Sequence, residues 1–182
     1  MTILFLKEEE IVQVASVVDQ ILLTMKFENI IKNKALIMVH NRRKNIYLID
    51  EADKELINAF STEKCEEECI PVFLKIKLGF WIRNTFRIGI ESLPFFAPLC
   101  KNPIILPSKR QVTRFIYGKN VEIPLNDAIT NIKEYIDGSI QIIFSKSRIP
   151  LGYAKLKLGK EKIFLKNIID IGIYLRSEKT AF

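Results

Sequence analysis

Three observations predict an α+β chain in two parts: an N-terminal antiparallel sheet with covering helices over residues 1–97, then a compact β-barrel over residues 98–182. Helical and strand-like apolar spacings alternate up to about residue 90. Prolines then fall at Pro94, Pro98, Pro103 and Pro107, which rules out a long helix and marks the junction. Beyond them, short strand-like runs follow one another closely, separated by glycine turns, the pattern of a small barrel.

The elements follow in order. Ile11, Val14, Val18, Ile21, Leu22 and Met25 give Glu8–Met25 the apolar stripe of an amphipathic helix. Ala35–His40 and Asn45–Asp50 are extended runs joined by the polar link Asn41-Arg42-Arg43-Lys44, a hairpin loop. Glu51–Phe60 returns to helical spacing, and Asp50, Glu51 and Asp53 suit the dipole at its start. Ile70–Leu78 and Thr85–Ile90 read as strands; in the second, Phe86, Ile88 and Ile90 alternate with Arg87 and Gly89. After the junction, strands are expected at Ile104–Leu106, Asn120–Ile123, Ser139–Phe144, Leu151–Leu158 and Lys162–Leu165. A short helix at Ile169–Arg176 closes the chain.

Composition narrows the chemistry. No apolar run approaches the roughly eighteen residues of a membrane span. Glu8-Glu9-Glu10 stands where a secretory signal would be basic, so an intracellular, soluble protein without membrane partners is expected. Three cysteines, an odd number, fit a reducing compartment. Cys65 and Cys69 lie one helical turn apart, but His40 is the sole histidine and glutamates fill the gap, so no metal site is expected. One histidine also leaves no triad or histidine acid–base pair, and seven glycines supply no nucleotide-binding loop after a strand. No catalytic residues and no cofactor are expected.

The charge is unevenly divided. Residues 98–182 hold 15 Lys+Arg against 7 Asp+Glu, a net of +8, while residues 1–97 hold 13 against 14, a net of −1. A basic patch confined to one domain is the footprint of nucleic-acid binding. It is densest in Lys146–Lys166, where Leu156 and Leu158 alternate with Lys155 and Lys157. Period-2 geometry sends the leucines inward and the lysines outward. Arg148, Lys160, Lys162 and Lys166 complete six cations beside one acid, Glu161. A solvated strand face is the competing reading for any single lysine; the six together favour phosphate contact. Engagement of four to six would give log K against log salt a slope of about −3 to −4. Tyr117 and Tyr153, beside basic or glycine positions, are candidates for base stacking, with a buried barrel position as the alternative for each. A second basic–aromatic stretch, Phe80–Arg87, sets Arg83 and Arg87 around Phe86 at strand spacing and holds the sole tryptophan, Trp81. An exposed Trp81 would suit an interface; a packed one would anchor the domain junction.

Three motifs occur in one order: Arg114-Phe115-Ile116-Tyr117-Gly118-Lys119-Asn120-Val121, Ile149-Pro150-Leu151-Gly152-Tyr153-Ala154, and Asp170-Ile171-Gly172-Ile173-Tyr174-Leu175-Arg176. Together they resemble the C-terminal PUA domain of the Nip-seven family of ribosome-biogenesis factors. Gly79-Phe80, Phe86-Arg87-Ile88, Leu93 and Ala97-Pro98 resemble that family's junction. The likeness runs from about Leu78 to the C-terminus; before it, only the helix–hairpin–helix pattern agrees. The resemblance implies a PUA-type β-barrel, a non-catalytic role in pre-rRNA processing and large-subunit assembly, and a preference for single-stranded, U-rich RNA. It further implies RNA contact at Lys155, Lys157, Lys160 and Lys162. The lysines, with heavy use of Ile and Lys, point to an archaeal-type, cytoplasmic member; a eukaryotic one would be nucleolar. Ribosome-assembly or RNA-processing proteins are expected to dock on the N-terminal domain. A pure protein adaptor, or the RNA-recognition subunit of a modifying enzyme, is the alternative.

Overall fold

A computed structural model describes residues 2–23, 25–40, 42–55, 57–58, 76–127 and 135–178. The chain separates into two compact units, Met1–Asp19 with Met25–Ser92, and Gln20–Thr24 with Leu93–Phe182. The α+β class is as predicted.

In the first unit, β1 (Thr2–Phe5), β2 (Lys34–His40), β3 (Lys44–Asp50), β4 (Ile76–Ile82) and β5 (Thr85–Ile88) form an antiparallel meander, sheet A, in that order. Helices α1 (Glu8–Leu22) and α2 (Phe27–Ile30) lie between β1 and β2 in the chain. Three glutamates in the first turn of α1 favour its dipole. The predicted stripe is buried at Val14, Val18, Ile21 and Leu22, while Met25 lies beyond the helix. One core cluster gathers Ile3, Ala35, Ile37, Val39, Ile49 and Ile57. Each fully buried aliphatic side chain of this kind contributes about 1.5–3 kcal/mol. The predicted helix at Glu51–Phe60 and strand at Ile70–Leu78 fall partly outside the described residues, and Cys65 and Cys69 wholly so. Within them are a 3-10 turn at Glu51–Asp53 and β4, which runs through the aromatic stretch to Ile82.

Arg83 stands just before the strand expected from Thr85, and it belongs to the turn that leads into it. Ile82 pairs with Thr85, and Arg83 and Asn84, at φ +46° and +61°, form the two-residue hairpin turn between β4 and β5. Positive φ at both central positions matches the right-handed twist of the flanking strands.

The second unit opens with α3 (Leu93–Phe96) and a 3-10 turn at Ala97–Leu99. Its strands β6 (Ile104–Ile105), β7 (Val121–Pro124), β8 (Ile140–Phe144), β9 (Pro150–Leu158) and β10 (Lys162–Asp170) form sheet B in the order β6-β8-β9-β10-β7. The β6–β8 pair is parallel and the rest antiparallel. The predicted barrel is thus a curled mixed sheet, a half-barrel. Its core holds Phe115, Val121, Ile123, Ile143, Leu151, Ala154, Leu156, Ile163 and Leu165. The predicted strand at Lys162–Leu165 extends to Asp170, so the closing helix, α5, begins only at Gly172 and runs to Glu178.

Helix α4 (Lys109–Ile116) has no counterpart among the expected elements. Its start is a capping box: Ser108 Oγ accepts from the Gln111 backbone N–H, and the Gln111 side chain accepts from the Ser108 N–H. Its end is a Schellman motif, with Gly118 N–H donating to Phe115 O at 2.9 Å and Lys119 N–H to Arg114 O at 3.0 Å. Gly118, at φ +75°, supplies the left-handed residue this stop requires.

Candidate nucleic-acid interface

The motifs at Pro150–Gly152 and Asp170–Arg176 are first of all structural. Leu151 is the extra residue of a bulge, since Ile143 pairs with Gly152 while Phe144 pairs with Pro150. A Cβ on Gly152 would lie 2.2 Å from Ile169 O, so only glycine lets β9 bend this close to β10. One step along, the Asp170 carboxylate is 1% exposed. It accepts from Arg176 through both oxygens, at 3.0 and 3.1 Å, and from the Gly172 N–H at 2.9 Å. The same guanidinium donates to Ile116 O at the end of α4. Asn167 adds a second tie, its side chain donating to Phe115 O at 2.8 Å. Two of the three motifs thereby meet in one clamp that joins the ends of α4 and β10.

With β9 and β10 fixed, their outward side chains form the open face of sheet B. Lys155 stands directly opposite Lys166, and Lys157 opposite Phe164. Opposed residues on a strand pair have Cβ atoms about 5 Å apart, so two like charges there oppose folding. Among the described residues, Lys155, Lys157, Lys160 and Lys166 make no ion pair. Lys162 does, with Glu122 of β7 at 3.2 Å, both side chains about half exposed, which partly neutralises it. Lys160 sits in the exposed turn between β9 and β10. Arg148 lies instead in the turn before β9, at φ +58°, five or more residues from Lys155 and so about 16 Å or more along the strand. Lys155, Lys157, Lys162 and Lys166 share the outward face of β9 and β10, and Lys160 stands in the turn that joins them; Arg148 lies beyond the opposite end of β9.

The two tyrosines part company. Tyr117, the residue capping α4, is 60% exposed and free to meet a base. Tyr153 is fully buried and is removed from the stacking candidates. Its cross-strand partner Ile142 is buried as well, and α3 packs against β9. Trp81 is half buried in sheet A and packs edge-on against Phe86, ring centroids 5.9 Å apart.

Three further side chains join the lysines. Phe164, 39% exposed, lies between Lys157 on β9 and Glu122 on β7. It lines an open groove of about 990 Å³ together with Arg110 and Arg114 of α4, Lys166, Glu122 and Asp127. Gln111 of α4 donates to Glu122 O at 2.8 Å, holding the helix along edge strand β7. Arg110 and Arg114 form no ion pair among the described residues. Neither is among the binding residues expected from the sequence, because their helix is not among the expected elements; the Ser108–Gln111 capping box is the signal that finds both. A groove with an exposed ring beside three cations without ion pairs, Arg110, Arg114 and Lys166, can hold a phosphate backbone and stack a base. Among the described residues, no three His, Cys, Asp or Glu side chains could hold a metal ion, and no helix is long and apolar enough to cross a membrane.

A UPF0113 protein from Archaeoglobus fulgidus is 21% identical over 154 residues, which cover 80% of this chain and 80% of that protein. Residues 104–179, the span that contains β6, the groove and the Asp170–Arg176 clamp, are similar to the UPF0113 PUA domain.

Proposed function

We propose that this protein is a non-catalytic RNA-binding factor that holds single-stranded, U-rich RNA on the open face of sheet B. It acts in pre-rRNA processing and large ribosomal subunit assembly, in the cytoplasm, with residues 98–182 as the RNA-binding domain and residues 1–97 as the docking domain for assembly or processing proteins. Lys155, Lys157, Lys160, Lys162 and Lys166 contact phosphates, Phe164 and Tyr117 stack bases, and Arg110 and Arg114 extend the track along α4. Arg148 reaches only a longer strand.

One observation carries the reading: a like-charge pair, Lys155 opposite Lys166, is kept beside an exposed phenylalanine in a region similar to a PUA domain. Folding alone gains nothing from that arrangement. The test is a titration of full-length protein with labelled oligo-U, oligo-A and duplex DNA across a range of salt. Lys155→Gln/Lys166→Gln should reduce the salt slope by about 1.4, which changes the affinity ratio between about 50 and 200 mM salt roughly sevenfold. The same variant should be as stable as the parent or slightly more so. Glu122→Gln, which releases Lys162, should tighten binding. An unchanged slope in the double variant would sink the assignment of the surface, and equal affinity for oligo-U and oligo-A the base preference.

A further inference from the structure

Sheet A carries a basic surface of its own, hidden by the near-zero net charge of the N-terminal half. His40 pairs with Lys44 and Ile82 with Thr85, so the β2–β3 and β4–β5 turns lie at the same end of the sheet, and Lys44 opposite Trp81 joins the two hairpins there. Adjacent strands are about 4.8 Å apart, which sets the two turns side by side. They bring together Arg42, Arg43, Lys44 and Arg83, with Arg87 two residues below the turn. All five are exposed. Four acids of this unit are engaged with other cations: Asp19 pairs with Lys26, Asp50 with Lys34, Glu51 with Lys54 and Glu91 with Lys77. Arg42, Lys44, Arg83 and Arg87 have no ion pair among the described residues. Glu10 lines a small pocket with Lys44, Trp81 and Asn84 and accepts from the Lys7 N–H.

Lys26, Lys34, Lys54 and Lys77 are spent in ion pairs, whereas four of the five cations at the turns are arginines. A guanidinium grips phosphate with two parallel bonds and stacks on flat rings, which an ammonium does not. That stacking is already in place: the Arg43 guanidinium lies over the Phe80 ring, 5.9 Å from its centroid. Arg87 stands directly across the strand pair from Phe80, on the same face. A base can extend the Arg43–Phe80 stack while Arg42, Arg83 and Arg87 hold its flanking phosphates. Arg83 holds its place at φ +46°, where asparagine or glycine would be easier.

We propose that the paired hairpin turns of sheet A are a second contact surface for single-stranded RNA, separate from the open face of sheet B. The choice of RNA rests on the reading above; the surface itself does not. The test uses the full chain with Arg42→Gln/Arg83→Gln/Arg87→Gln, all at exposed positions, beside Lys155→Gln/Lys157→Gln/Lys166→Gln and the sixfold combination. Labelled oligo-U is titrated across salt against each. The expected result is a slope reduced by about 2 in each triple variant and by about 4 in the combination. A turn variant with the parent slope, while the sheet B variant loses its share, overturns this proposal and leaves the sheet B reading standing. The reverse outcome supports the turns and sinks sheet B. A parent protein whose binding shows no salt dependence overturns both.

Discussion

Replacing Arg176 with methionine isolates the clamp that closes the second unit. The substitution keeps an unbranched apolar side chain and removes the guanidinium, with its two bonds to Asp170 and one to Ile116 O. Asp170 is left 1% exposed, its carboxylate answered among these partners only by the Gly172 N–H. Removing one partner of a buried ion pair costs about 3–5 kcal/mol. Arg176 is itself 39% exposed, so water can reach part of the vacated space and the lower end, about 3 kcal/mol, is expected. For a unit of this size, that lowers Tm by about 12–24 °C. Circular dichroism during heating, with a urea titration beside it, gives the value. The control is Asp170→Asn/Arg176→Met, which deletes the charge as well as its partner. If the cost arises from an uncompensated carboxylate, the double variant recovers about 1 kcal/mol or more relative to Arg176→Met. A loss below about 1 kcal/mol in the single variant, or no recovery in the double, would refute the reasoning.

Two other expectations follow from the geometry. Gly152→Ala drives a methyl group to 2.2 Å from Ile169 O and 2.6 Å from the Asp170 Cα, both backbone, and at φ +150°; a loss of about 3 kcal/mol or more is expected in urea unfolding, without loss from the first unit. Burial pushes the Cys100 thiol up to about 11, so the thiolate is scarce at neutral pH and grows only as pH rises toward that value. In a Cys65→Ser/Cys69→Ser background, alkylation of Cys100 at about pH 8 should run roughly a hundredfold slower than for a thiol near 9, and a rate like that of free cysteine would contradict its burial.

Strand periodicity exposed most of the second unit because its strands are half buried: Leu156 in and Lys155 and Lys157 out is the pattern of a sheet with one wet face. It failed where a local rule outweighs periodicity. Helix α4 is short and polar, with Phe115 its one fully buried side chain, so no apolar stripe announces it; its ends are written in capping chemistry instead. Arginine is an unusual choice for a left-handed turn position, so the turn at Arg83 and Asn84 shows only in the pairing of Ile82 with Thr85. In β10 the extra residue beside Asn167 shifts the register, which let the strand run on to Asp170 where a helix was expected.

The candidate site was legible in its charge and illegible in its cover. Period 2 assigns Tyr153 and Lys155 to one face correctly, but alternation within a strand carries no information about what packs above that face. α3, more than fifty residues away in the chain, packs against β9, and along that strand Tyr153 is buried while Lys155 and Lys157 are exposed. The same limit hid Phe164, whose neighbours Lys157 and Glu122 come from two different strands. It also explains why the motifs and the cations separate. Gly152, Asp170, Gly172 and Arg176 are held to their identities by backbone approaches and a buried charge, which tolerate no substitute. Lys155, Lys157 and Lys166 need only be positive and outward, so a resemblance built on motifs identifies the scaffold and says little about the surface. Comparison of the salt slopes of the sheet B and turn variants measures that surface directly, whatever the scaffold's relatives do with theirs.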